Sequence, residues 1–148
     1  ERERRNGIKR PPLDAGGKQM TKRIKIICGA VSLAAELNDT ETAQAIWSAL
    51  PISSEALRWG EEVYFMIPVR KKLESGARAE VEVGELGYWP TGPAFCVFFG
   101  PTPASKGQKP KAASPVTIIG KVKGDPTLLR AVKDGEKIVV MADENPRS

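Results

Sequence analysis

From Lys22 the chain alternates basic and aliphatic residues, KRIKIIC, and after Gly29-Ala30 a second apolar-rich run, VSLAAEL, follows. Alternation with a period of two marks a strand with one buried face, and two such runs around a Gly-containing pair predict an antiparallel hairpin with Gly29 in its turn. The period then lengthens. In NDTETAQAIWSALP, Ala43, Ile46, Trp47 and Leu50 recur at helical spacing. Asn38, Asp39 or Thr40 can cap the exposed amides, Glu41 places negative charge in the first turn, and Pro51 ends the helix. Trp47 is expected on the core-facing stripe.

After Pro51 the period returns to two. EALRWG predicts a short strand, and EEVYFMIPV a longer one with Val63, Phe65 and Ile67 on one face. ARAEVEVGELGYWP predicts another, with Ala79, Val81 and Val83 alternating against Glu80 and Glu82. AFCVFFG does not alternate, and its aromatic and β-branched content predicts a central strand covered on both faces. Alternation puts Phe95, Val97 and Phe99 on one side of it and Cys96 and Phe98 on the other, so the second set needs a cover of its own. PASKGQKPKAAS reads as an exposed loop, PVTIIGKVKG as a strand, DPTLLRAV as a short helix capped by Asp125 with Pro126 in its first turn, and EKIVVMAD as the last strand. Many short strands and only two helices predict a mostly β fold, a closed barrel capped by the two helices, because closure removes unpaired strand edges.

Composition narrows the chemistry. At 148 residues one domain is expected, and no apolar run approaches the roughly 20 residues that span a bilayer. A cytoplasmic protein with no membrane partner is expected, its charged N-terminus lacking the apolar stretch of a secretory signal. The net charge of +5 is uneven: residues 1–25 hold nine Lys/Arg and three Asp/Glu, and the remainder is nearly neutral. Residues 1–21 are therefore expected to form a disordered basic tail and residues 22–148 the domain; Met20 is a candidate natural start. A phosphate-binding arm is the alternative for the tail, and nucleic acid is otherwise not expected as a partner. There is no histidine, which removes the Ser-His-Asp triad and the usual zinc and iron ligand sets, so neither metal nor cofactor is expected. Cys28 and Cys96 sit in apolar runs without CxxC spacing and read as small buried hydrophobes. GPTPASKG lacks the GK[ST] ending of a phosphate loop.

AELNDTETAQAIWSALP, RWGEEVYFMIPV, VGELGYWPTGPAFCVFFGPTPAS and SPVTIIGKV resemble the uncharacterised prokaryotic family of stand-alone cyclophilin-like domains, from about Lys22 to the C-terminus. The resemblance implies the cyclophilin-like barrel. It also implies a test for prolyl isomerase activity, in which Arg58, on the first strand after the helix, would stand where cyclophilins carry their catalytic Arg, and Phe95 would floor the pocket. Here Arg58 is flanked by Leu57 and Trp59, so that correspondence is one of topology.

The stretch GELGYWPTGPAFCVFFGPTPAS has two readings. In the structural one, Gly84 and Gly87 permit a bend or bulge, the prolines stiffen a loop and the phenylalanines fill the core. In the functional one, Tyr88 and Trp89 cover a cleft and Thr102, between Pro101 and Pro103, offers a hydroxyl. Arg58 likewise is either a site donor or a partner of Glu61 or Glu62. Those two carboxylates are sequence neighbours on a strand, so only one of them can enter a given site. The expected function is binding of a small molecule or short Pro-containing peptide in a cleft formed by Arg58, Tyr64, Tyr88, Trp89, Phe95 and Thr102. The alternative is a peptidyl-prolyl isomerase using Arg58, and a subunit of a larger enzyme acting on small amides or lactams is a third reading.

Overall fold

The computed structural model describes residues 22–143; the expected basic tail lies outside the described residues. β1 (Lys22–Cys28) and β2 (Val31–Leu37) form the hairpin, with Cys28 opposite Val31 across Gly29 and Ala30. α1 (Glu41–Ala49) follows; the Thr40 hydroxyl accepts the Ala43 N–H at 3.1 Å, which makes Thr40 the cap among the three candidates. Asn38 instead orients that cap, accepting from the Thr40 N–H and hydroxyl. Glu74 arrives from a later loop to accept the Thr42 N–H and hydroxyl at 2.7 and 2.6 Å, an anion at the positive end of the helix. Those bonds to the ionised form lower its pKa.

The remaining strands are β3 (Ile52–Glu55), β4 (Leu57–Arg58), β5 (Glu62–Met66), β6 (Arg78–Glu80), β7 (Glu85–Trp89), β8 (Ala94–Phe98), β9 (Lys111–Val122) and β10 (Lys137–Ala142), with a 3₁₀ helix over Pro126–Ala131 capped by Asp125. All pair antiparallel in the order β3-β10-β1-β2-β9-β7-β8-β5-β4, and β6 pairs with β9 beside that path. The fold is mostly β, as expected, but the sheet does not close into a barrel: no ladder joins β3 to β4. The reason is covalent. β3 and β4 are successive pieces of chain separated by Ala56, and a strand cannot pair sideways with its own continuation. β3 therefore pairs with β10, β4 with β5, and Ala56 itself exchanges 2.8 Å hydrogen bonds with Glu136 and Gly135.

A second expectation is corrected between residues 78 and 89. The alternating run is two strands, because Gly84 adopts φ +94° and turns the chain, leaving Val83 half exposed. Arg78 and Glu85 clasp the turn with a bidentate pair at 2.9 Å, and Glu85 also accepts the Glu82 N–H. β9 likewise begins at Lys111, within the stretch expected to be loop.

Side chains fall into two apolar compartments. The larger, inside the curled sheet, takes Ile24, Ile26, Leu33, Val63, Phe65, Phe95, Val97 and Phe99 with Ala43 and Ile46 from α1 and Leu129 from the 3₁₀ helix; Trp47 packs against it partly buried. Phe65 and Phe95 stack with centroids 5.0 Å apart. The smaller compartment lies on the opposite face of β8, where Cys96 and Phe98 meet Val81, Ala112 and Val116. Every residue of β8 is buried, the two-sided cover its composition predicts.

Gly87 decides whether β9 can lie over that second face. A Cβ there would stand 2.8 Å from Cγ2 of Val116 and 3.2 Å from the Phe98 ring. Val116 is β-branched and has little rotamer freedom to yield. Gly87→Ala is expected to lower unfolding stability by about 1–3 kcal/mol, measured by urea denaturation; an unchanged midpoint would show that the outer compartment is looser than described.

Candidate functional site

β5 carries Val63 and Phe65 to the inner core, so Glu62 and Tyr64 point to the outer face, where Tyr64 lies opposite Cys96 of β8. β7 does the same one strand further on, sending Tyr88 inward and Trp89 outward. The Trp89 ring is fixed by its indole N–H, which donates to the Ser114 hydroxyl at 2.8 Å. Trp59 joins from the turn between β4 and β5, closed by its N–H to the Glu62 carbonyl at 3.0 Å. That turn needs a glycine. Gly60 has φ +62°, and a Cβ on it would lie 2.8 Å from Pro103 and 2.9 Å from Thr102. The Pro101-Thr102-Pro103 segment thus presses on the turn that holds Trp59. The Thr102 hydroxyl in turn donates to the Lys111 carbonyl, at the start of β9.

Together Trp59, Glu62, Tyr64, Trp89, Cys96, Ala112, Ala113 and Val116 line a pocket of about 210 Å³. Its polar centre is Glu62, whose residue is only 6% exposed. Burial pushes the Glu62 carboxyl up to about 7, against the opposing effect of a hydrogen bond with the Cys96 thiol. The Cys96 thiol is pushed well above its ordinary value by its own burial and then by Glu62. A thiol held protonated is neither a nucleophile nor a metal ligand at neutral pH. A carboxyl titrating near neutrality can hold or release a proton, or charge itself against a cation.

No described lysine or arginine pairs with Glu62. The neighbouring carboxylate has taken them: Glu61 lies on the other side, 2.9 Å from Arg130 Nε and 3.8 Å from Arg58 Nη2. The two adjacent glutamates are divided between faces as strand geometry requires, and only Glu62 enters the pocket.

Of the six residues expected to form one cleft, the structure brings Tyr64 and Trp89 together in this pocket. Tyr88 and Phe95 face the inner core instead; the Tyr88 hydroxyl donates to the Val69 carbonyl at 2.6 Å and accepts the Lys71 N–H. Thr102 ties a loop to β9 beside the pocket without lining it. Arg58 is a clamp: its guanidinium donates to the carbonyls of Gly60, Arg130 and Val132 and lies over the Phe99 ring, 5.1 Å from its centroid. Trp59, Glu62, Cys96, Ala112, Ala113 and Val116 were not among the expected site residues. Among the described residues no group of three or more Cys, Asp or Glu is placed to hold a metal ion, and both cysteines are free and buried. No described helix is long and apolar enough to cross a membrane.

The family model described as Cyclophilin-like matches residues 22–141. The chain belongs to the cyclophilin-like family. The cyclophilin-like domain is also similar to the solution structure of the hypothetical protein AF2241 from Archaeoglobus fulgidus, with 38% identity, a TM-score of 0.72, and coverage of 83% of this chain and 95% of that one. No curated protein matches the cyclophilin-like domain.

The raised Glu62 pKa has a definite sign in stability. The native state holds this proton up to about pH 7, whereas an unfolded glutamate releases it near pH 4.3. The native state is therefore the better proton binder in between, and stability falls as pH rises through that window. The loss is on the order of 3 kcal/mol. Urea melts of the wild type and Glu62→Gln from about pH 4 to pH 8 should show a stability difference that declines across this range in the wild type's disfavour and is flat above it. A constant difference would mean that Glu62 ionises normally.

Proposed function

We propose that this cyclophilin-like domain is a binding module whose ligand site is the outer pocket, taking a small molecule or one side chain of a short peptide. The observation that carries this reading is Glu62: a nearly buried carboxyl without a cationic partner, set among aromatic and apolar walls that open on the surface. A group of this kind costs stability in the free protein, and such strain is concentrated at sites where a ligand compensates it. The walls are preformed. Trp89 is pinned by Ser114, and Trp59 sits on a turn pressed by Pro103. A pocket of about 210 Å³ is below the range of roughly 300–1,000 Å³ used by drug-sized ligands, which fits a single head group or side chain.

The prolyl isomerase alternative asks Arg58 to offer free N–H groups to a twisting amide. Its guanidinium is engaged by three backbone carbonyls, an ion pair and the Phe99 ring, so its position favours holding the β4–β5 turn against the 3₁₀ helix.

Two measurements separate these readings. Two-dimensional NMR of the labelled protein with a set of small neutral, acidic and basic compounds should shift the indole N–H signals of Trp59 and Trp89 and the amides of Ala112 and Ala113; binding confined to other surfaces would overturn the pocket reading. In the exchange spectrum of an Xaa-Pro peptide, no protein-dependent cis–trans cross-peaks are expected. Arg58→Ala should instead lower stability by about 2 kcal/mol. Protein-dependent exchange that Arg58→Ala abolishes with the fold intact would establish the isomerase.

A further inference from the structure

Three aromatic residues and one carboxyl share the outer pocket, and everything else facing that carboxyl is uncharged. Tyr64 stands beside Glu62 on β5, the Cys96 thiol comes from β8, Trp89 from β7 and Trp59 from the β4–β5 turn. β9 contributes Ala112, Ala113 and Val116. The nearest charged neighbour in sequence, Glu61, is neutralised by Arg58 and Arg130 on the other side of the strand. We infer that the pocket is a receptor for an alkylated ammonium group, a methylated amine or quaternary ammonium, held over the rings of Trp59, Tyr64 and Trp89 with Glu62 as its counter-ion. This rests on the reading of the pocket as the ligand site.

Each alternative ligand fails on a feature of the same walls. An anion would meet the negative faces of the rings and an acidic carboxyl with no basic side chain to offset them. A wholly apolar group would fill the volume but leave Glu62 buried and unpaired, at a desolvation cost the ligand could not repay. A metal ion needs several oxygen or nitrogen donors, and one carboxyl among alanines, a valine and rings does not supply them. A primary ammonium brings three N–H donors that need acceptors. An alkylated ammonium brings a positive charge spread over C–H surface, which suits ring faces and apolar walls, and asks for one counter-ion. Attraction of such cations to the faces of Trp and Tyr is strongest where water is excluded.

Proton linkage gives the inference a second signature. In the free protein Glu62 keeps its proton up to about pH 7 because burial disfavours the bare charge. A bound cation removes that penalty, so binding expels the proton, and affinity should climb as pH rises through neutrality and level off above it. No other group facing the pocket changes charge in this window: the Cys96 thiol is pushed far above it.

The test uses the full chain and defined probes: tetramethylammonium, choline, and 3,3-dimethyl-1-butanol, the neutral carbon analogue of choline. Each is titrated while the Trp59 and Trp89 indole signals and the Ala112 and Ala113 amides are followed by NMR. The two cations are expected to give saturable shifts at these positions and to bind at least about tenfold more tightly than the alcohol. Affinity should be roughly ten- to thirtyfold higher at about pH 8 than at about pH 5.5. Glu62→Gln should abolish both the preference and the pH dependence, and Trp59→Leu, which leaves the carboxyl in place, should weaken the cations more than the alcohol. If the alcohol binds the same residues as well as choline does, the cation inference is overturned while the pocket remains the ligand site. Shifts by the cations that survive Glu62→Gln unchanged also overturn it. If neither the cations nor the alcohol moves any pocket signal, the inference fails, and the failure extends to the pocket reading when the wider compound set moves none either.

Discussion

One strand buried on both faces organises this molecule. β8 has no solvent-facing residue, so its alternation creates two dry compartments: Phe95 and Val97 turn into the curled sheet, and Cys96 and Phe98 turn out of it. The inner compartment is the larger and would suffice for a domain of this size. The outer one is what demands β6, the long β9 and a glycine at position 87, since an uncovered Phe98 would leave a large apolar patch in water. The pocket is the part of that cover that does not close. It forms where Glu62, Tyr64 and Cys96 reach the outer face and the small side chains of Ala112 and Ala113 leave room above them.

Most of the fold was legible because its signals are local. The hairpin at Gly29, the Thr40 cap, the stop at Pro51 and the two-sided strand AFCVFF each depend on a few neighbouring residues. The resemblance to cyclophilin-like domains likewise named the family to which the chain belongs. The errors arose where a distant contact overrode a local pattern. Val81 and Val83 alternate as a strand would, yet the Gly84 turn clasped by Arg78 and Glu85 breaks the run. Closure of the barrel failed for a topological reason that no residue pattern encodes, the chain continuity through Ala56.

The site was legible in half its logic. Period-two reasoning correctly divided Glu61 from Glu62 and Phe95 from Cys96, and Tyr64 and Trp89 do line the pocket. Tyr88 and Phe95 were grouped with them because they are adjacent in sequence to aromatic neighbours, although the same alternation sends them inward. Applying the rule to β5 and β7 together would have placed Glu62, Tyr64 and Trp89 on one face. Ala112 and Ala113 had no such signal, because their importance lies in what they leave unfilled. Arg58 shows the converse: its position in the order of elements suggested chemistry, and the carbonyls of the 3₁₀ helix claim it for architecture.

The pairing of β1 with β10 reaches further than the packing it provides. Ile24 lies opposite Ala142, so the first and last described strands are hydrogen-bonded neighbours in the middle of the inner sheet. During synthesis the amino-terminal hairpin emerges with one edge and its apolar face waiting for a partner that is translated last. Sheets built on such distant pairings assemble late and slowly, because the loop must close before any contact repays it. The same geometry brings the two ends of the described chain together. A short linker could therefore join them, and the chain could be reopened at the exposed Lys106–Gln108 tip, giving a permuted domain whose central pairing is made local.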